Sequence, residues 1–194
     1  MNPETGVNDE IVLIERIKQG ERSGFDALVR LYQQKGLNIA YGLVGNIEDA
    51  KDILQEAFVK LYLNIAYFQA RSKFYTWFYR IVVNCSLDFL RRKKRVFPLF
   101  VRAADDEGEG REIEIPDSRF EPAKMAMNKE LGRTLDNCIA SLPRMQKTCF
   151  VLRHQNGLST HEIAQVLKCR PATVKVHIFR AMNNLRKKLS GFLA

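Results

Sequence analysis

The sequence predicts an all-α protein in which two small helical domains are joined by a flexible acidic linker. Apolar residues recur every three and four positions near both ends of the chain, which is typical of amphipathic helices. No alternation of apolar and polar residues is long enough to predict a strand. Residues 99–120 lose the helical period and carry seven acidic residues, which favours a linker. The domains are therefore predicted at residues 1–98 and 121–194.

The composition favours a partner of opposite charge. The chain has 194 residues, of which 46% are hydrophobic, and its formal net charge of +9 favours a polyanion. No apolar run approaches the roughly 20 residues that span a bilayer. The polar first ten residues do not resemble a signal peptide, so we expect a cytoplasmic protein. The four cysteines form no C-x-x-C pair, which predicts reduced thiols and no metal site.

Capping and turn residues divide the first domain into helices. Asp9 is expected to cap a first helix that ends at Gly20. A second helix is expected to begin near Ser23, and a third to span residues 37–44 before Gly45. Each boundary depends on a residue type that favours the end of a helix.

The fourth helix is predicted to carry an acidic stripe. Asn46 can cap this helix, which runs to about Ile65. Spacings of three and four residues place several polar side chains on one face. These side chains are Asp49, Asp52, Gln55 and Glu56. Spacing alone leaves two interpretations, a binding surface or a solvated face on which Lys60 pairs with Glu56.

An aromatic and basic helix completes the first domain. It is predicted over residues 74–95, after a polar loop at 67–73, and it ends in five consecutive cations at 91–95. Aromatic rings beside a basic cluster suit unpaired nucleic acid, because bases stack on the rings while cations follow the phosphates. The alternative is an aromatic core, which we favour for Trp77 and Phe78. The expected buried stripe is Phe74, Trp77, Phe78, Ile81, Cys85 and Phe89.

The second domain has the pattern of a helix-turn-helix. A helix over residues 122–139 is expected to open it. Ser159 and Glu162 are then predicted to form a capping box for a short helix that ends at Leu167. A longer helix over residues 172–189 keeps an apolar stripe on one side and positive charge on the other. Such a helix fits the DNA major groove, although an ordinary helical hairpin with a solvated basic face gives the same pattern.

Two groups of motifs stand in order along the chain. The first domain carries E-D-A at 48–50, D-I-L-Q-E-A-F at 52–58 and F-Y-T-W-F-Y-R-I-V-V-N at 74–84. The second domain carries L-P at 142–143, G-L-S at 157–159, E-I-A at 162–164, A-T-V-K at 172–175, F-R-A at 179–181 and L-R at 185–186. Over nearly its whole length the chain thus resembles an extracytoplasmic-function (ECF) sigma factor of the sigma-70 family, in the RpoE-like branch. The resemblance implies region 2 in the first domain and region 4 in the second.

The resemblance implies that the protein binds core RNA polymerase and initiates transcription without catalytic residues of its own. In the family, region 2 docks on the clamp helices of the β′ subunit, and the β flap is a further contact. We therefore favour a binding surface over a solvated face for the acidic stripe. The implied polymerase-binding residues are Asp49, Asp52, Gln55 and Glu56.

The first domain is also implied to recognise and melt the −10 promoter element. Asn84 matches the family position that helps to hold a flipped base, and the loop at 68–72 supplies the rest of the pocket. The basic run at 91–95 is implied to lie by the promoter backbone. The full set of implied −10 residues is Phe68, Gln69, Ala70, Arg71, Ser72, Tyr75, Arg80, Asn84, Arg91 and Arg92.

The long helix of the second domain is implied to read the −35 element. The implied residues are Ser159, Arg170, Thr173, Lys175, Val176, Phe179 and Arg180. At two positions, Val176 and His177, the chain departs from the small hydroxyl residue and the arginine that are frequent in the family. We expect these departures to alter the base preference at −35 and to leave DNA binding in place.

The implied partners are core RNA polymerase, promoter DNA and an anti-sigma factor, which in this family is often bound to the membrane. No cofactor, metal or small-molecule substrate is expected, and the protein is expected at the nucleoid with the polymerase. The acidic linker is implied to thread the RNA exit path, although a solvated tether would have the same composition.

Two other classes of protein share parts of this pattern. A response regulator with a LuxR-type helix-turn-helix would match residues 142–189, but it needs an α/β receiver, and residues 1–98 predict no strands. An enzyme is suggested only by residues 161–165, which nearly spell the metalloprotease pattern H-E-x-x-H. Gln165 stands where the second histidine ligand belongs, so we do not favour that class.

Overall fold

The computed structural model describes residues 3–69, 72–100, 132 and 134–190, and these residues contain helices and no strand. The first domain consists of α1 (Pro3–Lys18), α2 (Arg22–Val44), α3 (Ile47–Asn64), a 3-10 turn (Ile65–Tyr67) and α4 (Phe74–Phe100). The second consists of α5 (134–140), α6 (Arg144–Phe150), a π-helical turn (Val151–Gln155), α7 (Thr160–Leu167) and α8 (Pro171–Ser190). The all-α prediction is confirmed, and no receiver sheet exists within the described part of the first domain.

Residues that favour the ends of helices lie at helix ends in the structure. The side chain of Asn46 accepts hydrogen bonds from the backbone N–H groups of Glu48 and Asp49, at 2.9 and 3.0 Å. Gly45 ends α2 with a φ of 79°, a conformation in which glycine carries no steric cost. Pro171 is the first residue of α8, where its missing N–H leaves no helical hydrogen bond unmade.

The predicted capping box at the start of α7 is present. The Ser159 hydroxyl accepts from the backbone N–H of Glu162 at 3.2 Å, and the Ser159 N–H donates to the Glu162 carboxylate at 2.7 Å. Two backbone donors that a helix start leaves unpaired are thereby satisfied. This pair fixes the first turn of α7.

Replacing Ser159 with alanine is expected to destabilise the protein by about 1 kcal/mol, because one backbone donor of α7 loses its acceptor. Chemical denaturation followed by circular dichroism measures this change. Ser159→Thr keeps a hydroxyl acceptor and serves as the matched control. Equal stability of the alanine variant, the threonine variant and the parent would contradict a capping role.

Three helix boundaries differ from the prediction. The first helix begins at Pro3 and not at Asp9, and α2 is one continuous helix where two were expected. Gly36 does not interrupt α2 because it is buried, and a Cβ there would lie only 2.6 Å from Leu54 Cδ1. The last helix of the first domain was predicted over residues 74–95 and continues to Phe100. Most of the helix predicted over residues 122–139, and most of the acidic linker, lie outside the described residues.

The core of the first domain forms where α2, α3 and α4 meet. Phe78 is fully buried at its centre and stacks on Phe58 with ring centroids 5.0 Å apart. Tyr32 packs against the edge of Phe78 at 5.6 Å, and Leu28 and Val82 are also fully buried. Trp77 is only partly buried, because the buried face of α4 is centred on Phe78 and Val82. The core interpretation of the aromatic run is confirmed for Phe78.

The second domain packs its helices around the apolar sides of α7 and α8. Ile163 and Val174 are fully buried and belong to the same core cluster as Leu152. A second cluster joins Ala181 and Leu185 of α8 to residues of the α5 and α6 region. Burial of this stripe leaves the opposite side of α8 exposed, as the spacing of apolar residues predicts.

Candidate functional site

The acidic stripe lies along one side of α3 and is called the acidic surface below. It consists of Asp49, Asp52, Gln55 and Glu56, as predicted. Asp52 and Gln55 are exposed, whereas the side chains of Asp49 and Glu56 are 25% and 34% exposed. The Asn46 cap fixes the first turn of α3, so the acidic surface starts at a defined rotation about the helix axis.

Cations from α3 and α4 pair with the acidic surface. Glu56 lies 2.7 Å from the Lys60 ammonium and 3.3 Å from the Arg92 guanidinium, and Asp49 lies 3.1 Å from Lys93. The hydrogen bond from Lys60 outweighs partial burial and, with help from Arg92, lowers the pKa of Glu56. Such exposed pairs are worth about 0–1 kcal/mol each, so an external cation can replace these partners at small cost.

An apolar groove runs between α2 and α3 next to the acidic surface. Phe25, Val29, Phe58 and Tyr62 line it, and Gln55 stands at its edge. The sequence did not predict this groove, because the predicted fourth helix was assigned only its acidic stripe. Exposed Val59, Tyr62 and Leu63 on the same helix are the signal that would have found the groove.

The residues predicted for −10 recognition occupy different environments. Asn84 projects from α4 and is exposed, and Gln69 is also exposed. Ser72 is partly exposed, while Ala70 and Arg71 lie outside the described residues. Between positions 74 and 90 of α4, Asn84 is the only exposed residue.

Phe68, one of the residues implied in −10 recognition, is buried. Its side chain is only 9% exposed and packs against Phe74 and Trp77, with ring centroids 5.5 and 5.2 Å away. Its carbonyl oxygen accepts a hydrogen bond from Lys18 at 3.0 Å. Phe68 therefore anchors the loop to the core of the first domain.

Tyr75 and Arg80 bind the second domain. The Tyr75 hydroxyl donates to the Glu162 carboxylate, and burial together with this bond raises the pKa of Tyr75 to about 12. Arg80 donates to the backbone carbonyls of Gln165 and Val166, at 2.5 and 3.3 Å. These carbonyls lie in the last turn of α7, where the helix dipole favours a cation.

The basic end of α4 forms local ion pairs. Arg91 lies 2.5 Å from Asp88, and Arg92 lies beside Glu56 of the acidic surface. Lys93 stands 5.6 Å above the ring of Phe89 as well as beside Asp49. Arg91 and Arg92 are both exposed.

The residues predicted for −35 recognition share one exposed side of α8, called the recognition surface below. Thr173, Lys175, Val176, Phe179 and Arg180 are all exposed, while Val174 is fully buried behind them. Phe179 is 66% exposed and Val176 is 46% exposed, so the recognition surface presents apolar as well as basic side chains. Arg170 is exposed just before the helix, whereas Ser159 is partly buried in the capping box.

The turn between α7 and α8 contains Lys168 in a left-handed conformation, with a φ of 51°. Its side chain is exposed, so its charge lies near the start of α8. The sequence does not predict this backbone conformation, because lysine carries no preference for it.

The described residues offer no site for a metal ion. They contain no group of three or more histidine, cysteine, aspartate or glutamate side chains that is placed to bind one. All four cysteines are free, and burial raises the pKa of Cys149 to about 12. In the same part of the chain, no helix is both long enough and apolar enough to cross a membrane.

A helical protein whose exposed basic helix follows a capped short helix across a tight turn is, by class, a helix-turn-helix DNA-binding protein. Residues 28–96 match the family model for sigma-70 region 2, and residues 132–185 match the model for sigma-70 region 4. The chain belongs to the ECF sigma factors of the sigma-70 family.

The relatives span almost the whole chain. The ECF RNA polymerase sigma factor SigW of Bacillus subtilis is 35% identical over 91% of this chain and 94% of its own length. The ECF RNA polymerase sigma-E factor of Escherichia coli is 34% identical over 94% of this chain and 95% of its own. The sigma factor RpoE of Bartonella quintana, solved in complex with the anti-sigma factor NepR, shares the fold with a TM-score of 0.66. That likeness covers 86% of this chain and 96% of the other, at 18% identity.

Proposed function

We propose that this protein binds core RNA polymerase, recognises the −35 and −10 elements of its promoters and initiates transcription. The observation that carries the proposal is the recognition surface, where the residues implied for −35 readout converge on one exposed side of α8. The family membership supplies the functional context. The chain is proposed to act in the cytoplasm, at the nucleoid, without cofactor or catalytic residues.

Docking on core polymerase is proposed to use the acidic surface. Asp52 and Gln55 are exposed, and the lowered pKa of Glu56 keeps its carboxyl group ionised near neutral pH. A basic coiled coil such as the β′ clamp helices complements this charge, which speeds and orients docking. The neighbouring apolar groove adds area that salt does not screen. The β flap is the proposed contact of the second domain.

Opening of the promoter is proposed to depend on Asn84. Its amide offers both a donor and an acceptor, so it can pair with the edge of a base that has left the stack. Extruding a base costs a few kcal/mol, and the pocket must return that free energy. Binding energy is thereby converted into melting without any chemical step on this chain.

Recognition of the −35 element is proposed to use Arg180 and Lys175 from the recognition surface. The guanidinium of Arg180 can bond the O6 and N7 atoms of a guanine together. Lys175 and Arg170 suit phosphate contacts, and Phe179 suits an apolar contact with a base or sugar. Exposure of these side chains supports this assignment.

An anti-sigma factor is proposed as the regulatory partner. The relative from Bartonella quintana forms a complex of that kind, and it shares this fold. The acidic linker is proposed to follow the RNA exit path of the polymerase. Its seven carboxylates suit a basic channel that otherwise holds RNA.

Run-off transcription tests the proposal directly. Purified protein is added to core polymerase on a library of genomic fragments, and transcripts are mapped by sequencing their 5′ ends. We expect defined start sites that share upstream sequence at −10 and −35. Transcription no different from core polymerase alone would exclude the proposed function.

Replacing Asn84 with alanine is expected to reduce promoter melting by at least about tenfold, because the flipped base loses its hydrogen-bonding partner. Permanganate footprinting of the opened region, with core polymerase present, measures the effect. Asn38→Ala removes another exposed asparagine, from α2, and is the matched control. Similar melting by both variants would contradict the role of Asn84.

A further inference from the structure

The end of α1 is fixed by two backbone hydrogen bonds that close the helix. The Gly20 N–H donates to the Ile17 carbonyl at 2.9 Å, and the Glu21 N–H donates to the Arg16 carbonyl at 3.0 Å. This is the Schellman arrangement, in which Gly20 takes the left-handed conformation at a φ of 88°. Lys18, the last residue of α1, therefore stands at a defined position.

Side-chain contacts also hold the end of α1 in place. Ile14 and Ile17 are buried on its apolar side. On its polar side, Arg16 lies 2.7 Å from the Glu21 carboxylate and donates to the Ser23 hydroxyl of α2 at 3.0 Å. The last turn of α1 is thus supported by apolar packing and by polar contacts with the start of α2.

The ammonium group of Lys18 binds a distant part of the first domain. It donates to the Phe68 carbonyl at 3.0 Å, across 50 positions of sequence. The backbone N–H of Phe68 donates to the Ile65 carbonyl, also at 3.0 Å. The Phe68 ring is buried against Phe74 and Trp77. Both the backbone and the side chain of Phe68 are therefore held by contacts within the domain.

The hydrogen bond from Lys18 also determines how the next residue is oriented. The Phe68 carbonyl and the Gln69 N–H belong to one planar peptide group, so a bond that holds the carbonyl fixes the direction of this N–H. Gln69 is exposed and is one of the residues implied in −10 recognition. Its side-chain amide carries a donor and an acceptor, so its orientation decides which base edge it can meet.

We propose that Lys18 is a positioning residue for −10 recognition, which acts by holding the peptide group between Phe68 and Gln69. Lys18 influences the DNA strand through Gln69 and is not itself a phosphate contact. Orienting Gln69 before the strand arrives removes conformational freedom that binding would otherwise have to remove. This inference rests on the proposed function and adds to its −10 site a residue from α1.

Replacing Lys18 with methionine removes the donor and keeps a long, unbranched side chain. Affinity for the single-stranded non-template −10 segment of a mapped start site is expected to fall roughly three- to tenfold, as for the loss of one hydrogen bond. Fluorescence anisotropy measures this affinity. Lys18→Arg keeps a cationic donor and is expected to restore most of the affinity. Lys35→Met removes the same charge from an exposed position of α2 and is the matched control.

A double-mutant cycle tests whether Lys18 acts through Gln69. Lys18→Met is expected to weaken single-strand binding in the parent and to have little further effect in a Gln69→Ala background. Additive losses would overturn the positioning role. A phosphate contact would instead reduce the slope of log affinity against log salt by about 0.7. We expect equal slopes for Lys18→Met and the parent, and a reduced slope would also overturn the proposal.

The single tryptophan of the chain tests the same bond without DNA. The Trp77 ring is partly buried and lies 5.2 Å from the ring of Phe68. Lys18→Met is expected to increase quenching of Trp77 fluorescence by acrylamide, whereas Lys18→Arg and Lys35→Met should match the parent. Circular dichroism confirms that each variant is folded, and Lys18→Ala replaces Lys18→Met if the latter is not. Unchanged quenching in the folded variant would overturn the proposal.

Failure of this inference and failure of the proposed function give different results. Unchanged single-strand affinity in Lys18→Met, with transcription from mapped start sites intact, would overturn the positioning role alone. Absence of any start site would instead remove the proposed function, and the quenching of Trp77 would still decide whether Lys18 holds Phe68 in place.

Discussion

Replacing Glu56 with lysine is expected to abolish binding to core RNA polymerase. The substitution puts a cation where the proposed basic partner docks, and like charges in contact across an interface cost several kcal/mol. Each 1.4 kcal/mol lowers affinity tenfold, so a loss of at least about 100-fold is expected. Fluorescently labelled protein titrated with core polymerase measures the dissociation constant.

The fold is expected to survive this substitution. The ion pairs of Glu56 with Lys60 and Arg92 are exposed, and such pairs contribute about 0–1 kcal/mol. Glu15→Lys makes the same change of charge at an exposed position on α1, away from the acidic surface. Unchanged core affinity in the Glu56 variant, or an equal loss in both variants, would contradict docking through this surface.

Replacing Arg180 with alanine is expected to weaken binding to the −35 duplex selectively. A bidentate bond between arginine and guanine contributes about 1–3 kcal/mol of discrimination. Affinity for the mapped −35 sequence should therefore fall by roughly 5- to 150-fold, and affinity for random duplex should change much less. Competition binding with both duplexes, at one fixed salt concentration, measures the two losses.

A second arginine of α8 provides the comparison. Arg186 is exposed on the same helix, nearly two turns closer to its end, and lies outside the set implied in base contacts. Arg186→Ala is expected to reduce binding to both duplexes slightly and equally. Should Arg180→Ala show that uniform behaviour too, Arg180 would be a phosphate contact and the proposed base readout would fail.

Local features of the fold were predictable because they depend on neighbouring residues. Asn46 caps α3, and Ser159 with Glu162 forms the capping box of α7, since each motif closes its hydrogen bonds within a few residues. The short helix that ends at Leu167 has the predicted end for the same reason. The exposed side of α8 follows from its apolar stripe.

Features that depend on distant residues were not predictable. Gly36 resembles a helix break in the sequence, but its actual role is to let α2 approach Leu54 and Phe78. Phe68 resembles an exposed loop aromatic, yet contacts with Phe74 and Trp77 bury it. In both cases the residue type permits two environments, and tertiary packing decides between them.

Contact between the two domains could not be predicted from the sequence either. Arg80 donates hydrogen bonds to backbone carbonyls of α7. Because every residue carries a backbone carbonyl, no sequence motif predicts this pairing. Arg80 also lies within a family motif, and the resemblance implied that it contacts DNA. The positions of the acidic surface and the recognition surface were predicted. The hydrogen bonds that join Tyr75 and Arg80 to α7 are seen only in the structure.

At position 168 the backbone conformation favours glycine, whereas a positive charge beside α8 requires a residue such as lysine. Its left-handed backbone costs an L-amino acid about 1–2 kcal/mol, which glycine would avoid. Glycine, however, would remove a positive charge from the turn that leads into α8. Thermal stability of the helix-turn-helix and its attraction to a polyanion are thus opposed at this turn, and no single substitution at position 168 maximises both.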